Sequence, residues 1–414
     1  MKKTVLTLGF VVALGLMLSG CSGSSESTTE SMTANTTEVE TTTSEETTVS
    51  ETTEAQLSVE DYPAINKNAV VGNGYITFVA DNKNYYFDVL ANKTYEYSGY
   101  IVGGRVAFDN GALVNVVTGE TIATNVDTTF YGFASWAKGN ARNIIQVVTK
   151  EDTYKIGALD SLTGEWVSPL KEYEGVIPAE YSFRPDGGVG NIVTFDCGVK
   201  LNLLNGKDAI GKNDILAGTN EKVLFEDVSD SSNFKLYMYN TSSDETVLLD
   251  NADVYMSLSY NGLQKGIMLR RNANSAVSYL LFDEDLNQVN IDLSKYDIQN
   301  FFGINDSYIV FTANNPNGES YLVVLDRSGN EVMEPIKAPT NIALTNSGLA
   351  YSDYTSMTYL DNFGNKSEHV ADEIFFSDVD LSTGMTVRKS NGKYYFVDIK
   401  DPETLIHPLA YLVK

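Results

Sequence analysis

Histidine, cysteine and tryptophan occur only twice each in the 414 residues, and basic residues are outnumbered by acidic ones, 29 to 55. Each scarcity removes a class of explanation. There is no HExxH motif, no Cys/His ligand spacing, no Walker sequence and no nucleophile elbow, so zinc hydrolases, P-loop enzymes and serine esterases lose their usual signatures. His369 follows a turn and His407 precedes Pro408, and both read as surface or strand-edge residues. Cys197, in the alternating stretch "TFDCGVK", has no mate if Cys21 is modified, and it reads as a small buried hydrophobe. The formal charge of −26 argues against a nucleic-acid partner and against a face lying on a membrane, because both present phosphate. An acidic balance of this kind is an ordinary solubility device.

Long hydrophobic runs are scarce as well. The run from Val5 to Met17 is too short to span a bilayer as a conventional helix, and with Lys2 and Lys3 ahead of it the segment reads as a secretory signal. It ends in "LSGC", Leu18 to Cys21, which resembles the lipobox of bacterial surface lipoproteins. The resemblance implies that residues 1–20 are a signal peptide and that the Cys21 thiol carries lipid, which would hold the chain on the extracytoplasmic face of the cell membrane. Of the 35 residues after Cys21, 19 are Ser or Thr, 8 are Glu and none is basic. Such a segment cannot bury a core, so residues 21–56 read as a disordered tether.

Residues 57–414 are organised by repetition. "NKNYYFDVLANKTYEY" at Asn82, "NGESYLVVLDRSGNEV" at Asn317 and "NGKYYFVDIKDPETLI" at Asn391 share one grammar: a turn, a Tyr- and Val-rich strand, an Asp or Asn, a second turn, and a short apolar strand. Nine such hairpin-like units recur about every 39 residues, near the repeat length of propeller blades. Apolar residues alternate and do not form a helical stripe. "SKYDIQNFFG" at Ser294 is the weak exception, with a helical spacing. The reading is an all-β fold, a single β-propeller of about seven or eight blades. "VVLDRSGNEVMEPI" and "TYLDNFGNKSEHV" resemble the outer hairpin of bacterial WG-type repeats, although the signature Trp-Gly or Tyr-Gly is missing. That resemblance implies repeat architecture and a binding or scaffold role.

The Asp-Gly corners are hairpin turns, in which Asp accepts a backbone hydrogen bond and Gly takes a left-handed conformation. Two turn clusters space oxygen ligands two apart, as calcium loops do: Asp283, Asp285 and Asn287, and Asp378, Asp380 and Ser382. Both fall short of a full ligand set, so no metal or other cofactor is expected. Tyr85-Tyr86 and Tyr394-Tyr395 each place one ring on either face of a strand, and Trp136, in a connecting segment, reads as a cap on the core between blades. The function these features point to is a lipid-anchored extracytoplasmic binding or assembly module, with an envelope protein or glycan as partner. The alternatives are a propeller enzyme acting on cell-wall or extracellular polysaccharide, and a sensory or inhibitory partner of a membrane protein.

Overall fold

A computed structural model describes residues 58–413 except 67–68, 73, 127–143, 151–152, 174–184, 196, 212, 231–232, 259–264, 275, 354, 371–372 and 377–378. Within them the chain folds into nine antiparallel sheets, each made from strands consecutive in sequence. They form a β-propeller whose blades span residues 70–97, 100–123, 144–171, 185–202, 214–252, 254–289, 297–337, 341–370 and 385–406. Blades 3, 4 and 9 have three strands and the other six have four. Isolated bridges at Val126–Thr149, Leu201–Asp208 and Ile374–Arg388 mark the fourth position in the shorter blades.

Nine blades correct the expected seven or eight. Each of the nine hairpin units lies in its own sheet, so the repeat count itself is the blade number. A second correction concerns the weak helix, because Asp297–Ile304 is the innermost strand of blade 7. Bulges between Ile298 and Asn300 and between Phe301 and Gly303 each add a residue, so the buried Ile298, Phe301 and Ile304 fall three apart. A bulged strand thus imitates helical spacing.

The second and third strands of most blades are apolar on both faces because a neighbouring blade covers each face. In blade 7, Ile309 and Phe311 of the second strand (Tyr308–Asn314) pack with Met268 and Leu281 of blade 6. Val310, on the opposite face, packs with Leu344 and Leu349 of blade 8. Apolar clusters of this kind join blade 2 to blade 3 and each later blade to the next. The seam between blades 1 and 2 is built differently: Arg105 Nη2 lies 2.7 Å from Asp88 Oδ2, and the Tyr75 and Tyr86 rings of blade 1, stacked at 5.4 Å, present their hydroxyls to the Gly104 backbone and to Arg105.

Ring closure joins the two ends of the sequence. Ile76, Phe78 and Phe87 of blade 1 share a core with Met385, Val387 and Phe396 of blade 9. On one face the Gly74 amide donates to Asp380 Oδ2 at 2.8 Å. Burial raises the Asp380 carboxyl above its usual range, and donors from Thr383, Ser382 and Gly74 oppose the shift. On the other side of the seam the chain ends interlock. His407 is 2% exposed, stacks on Tyr62, accepts the Leu409 amide at Nδ1 (3.3 Å) and sits with Nε2 3.0 Å from the Pro63 carbonyl. The 3-10 turn Pro408–Tyr411 follows, and beyond it the Val413 amide donates to the Thr94 carbonyl at 2.9 Å. Lys393 Nζ donates to the Glu60 carbonyl at 2.9 Å.

His407 is therefore a buried latch, not the surface or strand-edge residue expected. Its bonds require the neutral tautomer with the proton on Nε2, since Nδ1 is occupied as an acceptor. Burial pushes its pKa below the ordinary 6.5, and the nearby Lys393 charge adds to that. The unfolded chain then takes up the proton first as pH falls, so this contribution to stability is full above about pH 6.5 and is lost as pH drops through the lower folded-state value. Melting curves should show His407→Gln less stable than wild type at pH 7.5, with a shallower decline toward pH 5. An unchanged decline would remove His407 as the titrating group.

Candidate functional site

Strand direction alternates within each blade, so the turns between first and second strands and between third and outer strands emerge on the same side of the ring. The Asp-initiated corners lie on this face. Asp326 Oδ1 accepts the amides of Ser328 and Asn330 at 2.8 and 2.9 Å, while Oδ2 accepts Asn330 Nδ2 at 3.0 Å. Asp361 repeats the arrangement with Phe363 and Asn365, and Asp283 repeats it with Asp285 and Asn287. Bonds from the Asn side chain and the backbone hold the Asp326 and Asp361 carboxyls below the usual range. One side-chain geometry, used three times, makes a corner in a sheet.

A cleft on this face lies between blades 7 and 8 and has a volume of about 410 Å³, within the range typical of small-ligand sites. One wall is Asp306 and Ser307 from the first turn of blade 7, with Asp326, Arg327 and Ser328 from its last. The opposite wall is Asn362 and Phe363 from the last turn of blade 8. Arg327 is fixed at one end, where Nη1 donates to the Asn305 carbonyl at 3.0 Å. The buried Asn305 links the walls by donating to the Thr345 carbonyl at 2.8 Å and accepting the Ser307 and Tyr308 amides. The Tyr308 hydroxyl donates to the Asp361 carbonyl, and burial raises its pKa. Phe363 stands 91% exposed at the rim. A fixed guanidinium, hydroxyl and amide groups and an open aromatic face suit a hydroxylated or acidic ligand that offers one flat surface.

The residues singled out by sequence go elsewhere. Cys21, Asp378 and Trp136 lie outside the described residues. In the first calcium-like cluster, Lys222 Nζ donates to Asn287 Oδ1 at 2.8 Å and to the Asp285 carbonyl at 3.3 Å, which puts an ammonium group where a cation would sit. In the second, Asp380 accepts the Ser382 and Thr383 hydroxyls and belongs to the ring seam. Among the described residues no group of three His, Cys, Asp or Glu is arranged to hold a metal. Cys197 is half-buried against the core of blades 3 and 4. His369 sits beside the Ser367 hydroxyl at 3.0 Å on the outer strand of blade 8. Tyr85 and Tyr86 stack on Phe78 and Tyr75 respectively, and Tyr395 is buried, so these pairs serve packing. Sequence reasoning passed over Arg327 and Phe363. Superposing the nine corners offers the signal, since the position of Arg327 holds Val89, Val116, Leu203 and Ile399 in four blades and Ser161, Thr241, Glu284 and Asn362 in four others, which leaves Arg327 as its one basic residue.

No protein-family model and no curated protein matches the chain. Solved structures similar to it include PorZ, an essential bacterial surface component of the type-IX secretion system of Porphyromonas gingivalis, at 11% identity over 83% of this chain and 38% of that one, with a TM-score of 0.30. Porphyromonas gingivalis dipeptidyl peptidase 4 is similar at 10% identity over 83% and 52% of the two chains, TM-score 0.36. The uncharacterized protein lmo1340 from Listeria monocytogenes EGD-e is similar at 11% identity over 66% and 82%, TM-score 0.30. The chain spans less than two thirds of the length of the first two, and likenesses of this degree carry no argument about its activity.

The corner geometry makes a quantitative prediction. Gly329 and Gly364 hold the same turn position, each with φ of 87°. A Cβ on Gly364 would meet nothing within 4 Å, whereas one on Gly329 would stand 2.7 Å from Ile291 Cγ2. In urea unfolding, Gly364→Ala should cost about 1 kcal/mol from positive φ alone, and Gly329→Ala should cost clearly more. Equal losses would mean that Ile291 yields without penalty.

Proposed function

We propose that the chain is a lipid-anchored extracytoplasmic binding module on the cell membrane. In this reading Cys21 carries the lipid, residues 21–56 are the tether, and the propeller offers the cleft between blades 7 and 8 to a glycan or an envelope protein. The observation that carries it is the order of segments: a signal ending in "LSGC", then a Ser/Thr/Glu stretch, then a ring whose first described residue is Ser58. The likeness of its corners to WG-type repeats supports a binding or assembly role. Arg327, Asn362 and the open ring of Phe363 supply the polar and aromatic groups such recognition uses.

A second reading, a propeller enzyme acting on polysaccharide, draws on the two carboxylates in the cleft, Asp306 and Asp326. It is weaker because the Asp326 oxygens already accept three turn bonds. A sensory or inhibitory partner of a membrane protein would use the same surface without chemistry.

Two measurements test the proposal. Cys21→Ser should move the protein out of the detergent phase in a phase-partition assay, and unchanged partitioning would defeat the anchor. Capture of that soluble form on arrays of purified envelope glycans and proteins should be lost in Arg327→Ala and Phe363→Ala, with melting temperature preserved because both side chains are exposed. Capture that survives both substitutions would move the site away from this cleft.

A further inference from the structure

A propeller presents one outer strand per blade to its surroundings, and an uncovered strand edge invites another strand to pair. Most edges here are blunted. The outer strand of blade 1 (Lys93–Tyr97) is met by the chain's own end, through the parallel Thr94–Leu412 bridge and the Val413 amide. Blades 6 and 7 end in strands of two residues, Gln288–Val289 and Ile336–Lys337, and blades 2 and 4 in strands of three, Thr121–Ala123 and Lys200–Asn202. The outer strands of blades 3 and 9 contain Pro169 and Pro402. That of blade 8 (Lys366–Val370) alternates Lys366, Glu368 and Val370 outward.

Blade 5 is the exception. Its outer strand, Glu245–Ala252, runs eight residues as "ETVLLDNA", with no proline and no basic residue. Among the described residues it pairs only with the third strand of its own blade. Val247 is 58% and Leu248 53% exposed. The bulge opposite Leu236 and Tyr237 inserts Leu249 as an extra residue, so three consecutive apolar side chains are left facing water.

We propose that this edge is a homotypic docking surface, where the outer strand of blade 5 pairs antiparallel with the same strand of a second copy about a two-fold axis through Leu248. The sequence is self-complementary in that register. Leu248 faces Leu248, Val247 faces Leu249, Thr246 can donate to Asp250, and Asn251 can donate to Glu245. A slip of one residue in one direction would put Glu245 opposite Asp250, and a slip in the other would put Asp250 opposite Val247, so each loses contacts that the Leu248-centred register makes. Asp250 is already partnered within its own chain by Arg271 and the Tyr255 hydroxyl. That leaves Glu245, which accepts the Ser243 hydroxyl, as the acid on each edge with no cation against it among the described residues, and the two copies of Glu245 would lie about 20 Å apart along the ladder, beyond a Debye length of about 10 Å. The net charge of −26 therefore does not concentrate at this seam. The same fold already accepts its own chain end on an outer edge, through the single Thr94–Leu412 bridge.

The test is sedimentation velocity of the full chain carrying Cys21→Ser over a range of concentrations. A reversible dimer is expected, and Val247→Lys should weaken it about a hundredfold or more, because each cation would then be set against Leu249 of the other copy within an apolar contact. At concentrations where the wild type is monomeric the melting temperature should not change, since Val247 is exposed in the monomer. In the same background, Leu248→Cys should form a disulfide-linked dimer under mild oxidation, and Thr246→Cys should not. A monomer at every concentration would overturn the proposal, and so would a dimer indifferent to Val247→Lys or equal crosslinking by the two cysteine variants. A monomer that binds an added extended peptide at this edge would likewise overturn it, assigning the edge to a different partner.

Discussion

Every sheet in this molecule depends on the contact between its first and last blades. A row of twisted sheets left open would expose an apolar face at each end, where Phe78 and Phe396 now meet edge to face at 6.2 Å. Each phenylalanine buried in that seam contributes about 1.5–3 kcal/mol, and their joint burial requires that all nine blades hold their angular spacing at once. The terminal segments reinforce the contact on both sides of the ring. Asp380 reaches Gly74 on the turn-bearing face, and His407 holds the strap at Tyr62 and Pro63. Closure is where local repeats become one cooperative object.

Much of this architecture was legible from residue patterns. Strand alternation, Asp-Gly corners and the Tyr-Tyr-Phe likeness of the first and last units are local features, and local chemistry dictates them. What escaped the sequence reading is non-local. The strand Asp297–Ile304 looked helical because two bulges, set by its partner Tyr308–Asn314, spread its buried residues three apart. His407 looked peripheral because its partners Pro63 and Tyr62 lie about 345 positions upstream. The blade number was underestimated although the nine units were counted, because the link from one unit to one sheet appears only once pairing partners are known.

The candidate cleft follows the same logic. Asp326 was visible as a turn residue and is one, with both carboxylate oxygens committed to its own loop. Arg327 beside it gains meaning only from Phe363 and Asn362 across the seam, and those residues belong to a different repeat. In a repeat protein the residues that depart from the shared grammar carry the individuality. Here the one guanidinium among the nine equivalent corner positions stands in blade 7, and a phenyl ring crowns the corner of the next blade.

The place where the chain enters the ring has a mechanical consequence. Ser58 to Asn66 lies across the closing seam and is held there by Lys393 at Glu60 and by His407 at Pro63. Tension applied to the upstream segment reaches these few bonds first, loading them before any blade is strained. Blades 4 to 6, on the far side of the ring, are shielded from that load until the seam gives way. A chain pulled from its N-terminal side would lose its strap before its sheets, so the seam acts as a mechanical fuse for the propeller.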